Sequence, residues 1–83
     1  MLNATKTGWQ LRELKAVVSR ELGKEVEQRT FDRWRNKLGL TKGRGRFYDE
    51  EEAAVLVDFA QLVSANISYN DAHRIVYQKY TGN

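Results

Sequence analysis

Apolar positions recur along this chain of 83 residues with a helical period rather than a strand period. In TGWQLRELKAVVSRELG, Leu11, Leu14, Val18 and Leu22 fall on one helix face with Val17 beside them. Thr7 and Gln10 have the spacing of a capping box, in which each side chain satisfies a free backbone N–H. Gly23 stands where a left-handed C-terminal cap belongs. After the short turn KEVE, the segment QRTFDRWRNKL places Phe31, Trp34 and Leu38 on one face of a second helix, with Val26 tucked in ahead of it. Gly39 ends this helix as Gly23 ends the first, and Leu40 folds back as a hydrophobic contact.

A third helix is predicted from Asp49. Asp is a good N-cap, and Glu50, Glu51 and Glu52 fall in the first turn, where the helix dipole favours anions. Its expected buried stripe is Val55, Leu56, Phe59, Leu62 and Val63. A turn over residues 65–68 leads to a fourth helix capped by Ser68 with Asp71, its inner face formed by Ala72, Ile75, Val76 and Tyr80. The last three residues, TGN, are expected to fray. Trp9 and Tyr77 find no place in this pattern.

Between the second and third helices lies LTKGRGRFYDEEE. Two glycines among three cations do not continue a helix cheaply, so residues 41–48 are expected to form a turn or small β-ribbon, closed by Phe47 and Tyr48 against the core. The whole reads as a single mostly α domain over residues 1–83, ordered helix, helix, basic loop, helix, helix.

Charge sharpens the picture. Residues 1–47 carry twelve Lys/Arg against five Asp/Glu, a balance of +7, whereas residues 48–83 carry two against six, a balance of −4. A basic half of this density points to a polyanionic partner, and solvated helix faces are the plainer account of the same charges. The absence of Cys removes disulfides and thiolate metal sites. No apolar run approaches the roughly 18 residues of a membrane span, and MLNATKTGWQ has no signal-peptide apolar region. A cytoplasmic, nucleoid-associated protein is the expectation, with no membrane partner.

Catalysis has little to stand on. His73 is the one His, with no second ligand at metal spacing, and GRG lacks the GxxxxGK[ST] pattern of a phosphate loop. Neither an enzyme, a metal nor another cofactor is expected. Nucleic-acid binding is better supported. With Phe31, Trp34 and Leu38 inward, Arg29, Asp32, Arg33 and Asn36 point outward, flanked by Thr30 and Lys37 on one side and Gln28 and Arg35 on the other. Arg, Asn and Gln are side chains that contact base edges in pairs of hydrogen bonds. They lie on the second helix of a helix-turn-helix, the element that enters the major groove in such proteins. Lys42, Arg44 and Arg46 then supply cations on a glycine-rich loop suited to phosphates or a minor groove.

VEQRTFDRWRNKLGL followed by GRGRFYDEEE resembles the DNA-binding domain of the MerR-type regulators and the related excisionase-like winged helices. Val26 matches the Val before the recognition helix, Thr30 and Phe31 its Thr-apolar pair, Trp34 its aromatic, and Gly39 with Leu40 its Gly-Leu. Arg46, Phe47 and Tyr48 match the end of the wing, and ANISYNDAHRIV resembles the turn and helix that follow. The resemblance implies a four-helix winged helix-turn-helix that binds double-stranded DNA in a sequence-specific way, as a transcriptional regulator or recombination factor. It implies that Gln28, Arg29 and Arg33 face bases or nearby phosphates, with Arg46 and Tyr48 on phosphate beside the wing. Asp32 departs from the Arg usual at its position, the first helix is longer than usual, and the dimerising helix and effector domain of full regulators do not follow. No small-molecule effector is therefore expected, and a second copy or a larger protein partner on DNA would supply missing affinity. The alternative function is an adaptor that docks its basic helix-turn-helix face on an acidic protein without reading bases.

Overall fold

The computed structural model describes residues 8–41 and 47–82. Four α-helices follow in order: α1 Leu11–Leu22, α2 Gln28–Leu38, α3 Glu50–Ser64 and α4 Tyr69–Tyr77, the last running into a π turn over Gln78–Gly82. The mostly α class and the helix order agree with the periodicity. No strand is present among the described residues. Most of the expected turn or ribbon, residues 42–46, lies outside the described residues, and Tyr48 at its end forms one antiparallel bridge with Trp9 instead.

α3 is the hub, because α1, α2 and α4 all pack on it, and α2 also touches α4. The core consists of Leu14 and Val18 of α1, Val26, Phe31 and Trp34, Tyr48, then Ala53, Leu56, Phe59 and Ala60 of α3, and Ala72 and Val76 of α4. The α3 stripe therefore runs through two alanines, while Val55, Leu62 and Val63 are only half-buried. Ala53, Ala60 and Ala72 are buried where helices meet, a place that side-chain hydrophobicity alone does not flag. Ile75, expected in the core, is 39% exposed. α4 turns Ala72 and Val76 inward, and Ile75 sits one residue round the helix from Val76, at the edge of a groove shared with Asp58 and Leu62.

Helix ends follow local chemistry. Asp49 Oδ1 accepts from the Glu52 N–H at 2.7 Å, and Glu52 Oε1 accepts from the Asp49 N–H at 2.8 Å, so a complete capping box starts α3. Ser68 Oγ accepts from the Asp71 N–H at 3.2 Å, while the Asp71 carboxylate pairs with Arg74. α1 begins one turn later than its expected cap. Glu13 Oε1 accepts from the Gln10 N–H at 3.0 Å, and Thr7 lies outside the described residues. Gly39 adopts φ 73°, the left-handed conformation of a C-terminal cap, and the Leu40 N–H reaches back to the Arg35 carbonyl at 2.8 Å. The α1–α2 connection is pinned by the Val26 N–H, which donates to Ser19 Oγ at 3.0 Å.

Trp9 finds its place in the bridge. Its N–H donates to the Tyr48 carbonyl at 2.8 Å, and the Tyr48 N–H returns to the Trp9 carbonyl at 2.9 Å. Gly8 permits this approach, since a Cβ there would lie 2.8 Å from the Tyr48 carbonyl oxygen and 2.9 Å from Phe47 Cβ. Of the two aromatics expected to close against the core, Tyr48 is buried but Phe47 is 45% exposed. Side chains alternate sides along extended backbone, so two neighbours cannot both point inward. Tyr77 is 61% exposed and stacks on His73 at 5.9 Å between ring centres.

Candidate nucleic-acid interface

The rotation of α2 decides which of its polar residues reach solvent. Phe31 and Trp34 are buried, and the Trp34 indole N–H donates to the Tyr69 hydroxyl at 2.8 Å, tying α2 to the start of α4. Tyr69 in turn meets Phe59 edge to face at 5.5 Å. With this face fixed, Gln28, Arg29, Asp32, Arg33 and Asn36 converge on one shallow open surface. Arg29, Arg33 and Asn36 are exposed. Among the described residues, neither Arg29 nor Arg33 takes part in an ion pair. Two guanidinium groups are thus left to solvent on a surface built by one helix.

The flanks differ. Arg35 turns inward with its side chain only 13% exposed. One Nη donates to Asp32 Oδ1 at 2.7 Å, and the other reaches the Tyr48 hydroxyl at 3.2 Å and the Leu40 carbonyl at 3.4 Å. Its guanidinium also stands 5.7 Å from the Phe31 ring centre. Arg35 Nε is buried without a partner. Burial works against the Arg35 charge, but the hydrogen bonds to Asp32 and Tyr48 outweigh it and hold the group more firmly protonated than usual. Asp32 also accepts from Gln28 Nε2 at 3.0 Å. The Arg35 guanidinium above all, with help from Gln28, holds the Asp32 carboxyl below its ordinary pKa.

Three expected site residues have partners within the fold. Arg35 is a strut between α2 and the segment before α3. Tyr48, expected on phosphate, is 2% exposed, and its hydroxyl donates inward to the Leu40 carbonyl at 2.8 Å. Its ring is needed to cover the core, and its neighbour Phe47 takes the outer side. Lys37 donates to Asn70 Oδ1 at 2.8 Å, bridging α2 to α4. Thr30 is half-buried and lines a groove with Trp34 and Val63. Lys42, Arg44 and Arg46 lie outside the described residues. Sequence reasoning missed Asn70, since nothing in its local pattern marks it as the partner of Lys37.

Among the described residues, no group of three or more His, Cys, Asp or Glu side chains could hold a metal ion. No helix among them is long and apolar enough to cross a membrane. No family model, no curated protein and no solved structure matches this chain.

Proposed function

We propose that this protein binds double-stranded DNA in a sequence-specific manner as a small winged helix-turn-helix. In this reading α2 lies in the major groove, and the GRGR loop, through Lys42, Arg44 and Arg46, lies on the backbone. The observation that carries it is the outer surface of α2, where Gln28, Arg29, Asp32, Arg33 and Asn36 converge, with two guanidinium groups that have no ion pair among the described residues. An eleven-residue helix is about 16 Å long, and its diameter matches a major groove of roughly 12 Å. Arg29, Arg33, Asn36 and Gln28 supply the paired donors and acceptors that base edges require. Arg35 and Tyr48 hold the helix at the required rotation rather than touching DNA.

An adaptor function would favour an apolar docking patch, and the outer face of α2 exposes none. Exposed apolar side chains occur instead at Phe47, Ile75 and Tyr77, off that surface. The deciding experiment is selection from a random duplex pool at two salt concentrations, followed by sequencing of the retained DNA. A short enriched motif and affinity that falls steeply with salt are expected. Salt-dependent retention without enrichment would remove base readout, and no retention at low salt would transfer the basic face to an acidic protein.

A further inference from the structure

A carboxylate in the middle of a DNA-facing surface needs a reason, because phosphates repel it. The helix dipole is not that reason. Asp32 is the fifth residue of α2, and the first turn of this helix holds no acid. Nor does Asp32 lie in the core, since its side chain is 41% exposed. Yet it is the most tightly held polar group on this face. Oδ1 accepts two hydrogen bonds, from Arg35 at 2.7 Å and from Gln28 at 3.0 Å. Arg35 is itself anchored on the Tyr48 hydroxyl and the Leu40 carbonyl. Among the described residues, Oδ2 accepts no hydrogen bond. The result is an ionised acceptor of fixed orientation, with its charge partly compensated from behind by a half-buried guanidinium and one oxygen without a hydrogen bond among the described residues.

Resting on the DNA-binding reading above, we infer that Asp32 is a specificity-determining residue whose free carboxylate oxygen accepts a hydrogen bond from the exocyclic amine of cytosine in the major groove. The four bases differ in what they offer it. Cytosine presents a lone N4 donor, guanine two acceptors and thymine an acceptor with a methyl group. Adenine places the N7 acceptor beside its N6 donor, which repels a carboxylate. Arg29 and Arg33 lie on the same exposed surface and are suited to guanine O6 and N7. The recognised site should therefore contain a cytosine at the position under Asp32, beside guanines read by the arginines. The half-buried partner explains how the acid is tolerated, since attraction to Arg35 offsets part of the repulsion by phosphate.

The test is motif selection from a random duplex pool with the wild type, Asp32→Asn and Asp32→Ser. Thermal melts of each run beside it. Both substitutions are polar and partly exposed, and Asn keeps an acceptor for Arg35. The expected result is a wild-type motif with one cytosine position that disappears in both variants while the other positions persist. Competition with a duplex altered at that base should show wild-type discrimination of about 5- to 150-fold, which the variants lose. An unchanged motif with uniformly tighter binding in the variants would reduce Asp32 to a repulsive charge and overturn the assignment. A motif lost at every position would make Asp32 a strut for the whole helix instead. A wild type that enriches no motif would overturn the DNA-binding reading itself, and this outcome is recognisable before any variant is examined.

Discussion

Two acid–base pairs of nearly equal length hold different parts of this molecule. Asp32–Arg35 on α2 measures 2.7 Å, and Asp58–Lys79, between α3 and the π turn after α4, measures 2.8 Å. The cation of the first is 13% exposed, whereas that of the second is 62% exposed. Arg35 spreads its planar fork over Asp32, the Tyr48 hydroxyl and the Leu40 carbonyl. Lys79 is a single point charge on a solvated stem, and Asp58 is completed by the Tyr80 hydroxyl at 2.6 Å. A half-buried fork with partners on two segments fixes the angle at which α2 presents its surface, while an exposed ammonium only clips the π turn to α3. Arg29 and Arg33 take part in neither arrangement and are exposed.

The comparison depends on the rotation of α2, and the sharpest way to break it is to remove the anchor. Trp34→Ala deletes a buried indole and its hydrogen bond to Tyr69. It should cost roughly 3–5 kcal/mol in urea unfolding. A loss well below this would mean that α2 is turned otherwise. Arg35→Met comes next. It keeps the apolar stem but strips partners from Asp32 and Tyr48, and should cost about 1–3 kcal/mol in the same assay. A variant as stable as the wild type would remove the distinction between strut and clip.

Arg33→Ala sharpens the other side. Its stability should stay within about 0.5 kcal/mol of wild type, as expected at an exposed position. Its affinity for the selected duplex should fall by roughly 1–3 kcal/mol, with a relaxed base preference. Arg44→Ala should instead weaken all duplexes alike and lower the salt slope by about one. Equal losses on selected and random DNA for both variants would end the division between base readout and backbone contact.

The smallest effect concerns the clip and its pH dependence. Burial pulls the Asp58 pKa upward, but hydrogen bonds from Lys79 and Tyr80 outweigh it and leave the group below its ordinary value. A lowered folded pKa stabilises the protein above the unfolded carboxylate value, and that contribution is lost as pH falls through the folded value. Asp58→Asn should therefore flatten the acid limb of thermal stability by a small amount, as exposed pairs contribute little. Parallel acid limbs for variant and wild type would show that the pair contributes nothing to folding.

Local order determined much of what the sequence revealed. Phe31 and Trp34 three residues apart orient α2 by periodicity alone. Asp49, Ser68, Gly23 and Gly39 mark helix ends because capping is chemistry among near neighbours. The outward direction of Arg29, Arg33 and Asn36 follows from the same wheel. What failed was whatever depends on partners distant along the chain. The helical wheel put Arg35 on a flank of the outer face and the family resemblance put Tyr48 on phosphate, yet the two meet each other across thirteen residues in a part-buried contact.

Tertiary structure alone decided the rest. Lys37 is engaged by Asn70, a residue 33 positions away, and no local pattern links the two. Ile75 yields the core to Ala72 and Val76 because the rotation at which α4 packs on α3 turns those two inward. Trp9 and Tyr48 pair only because Gly8 lets their backbones meet. The sequence by itself determined which helices form and which face of α2 looks outward, since both depend on residues within a turn or two. Which cations on that helix stay free and which are consumed in the fold depends on contacts between elements, and only the packed structure assigns them.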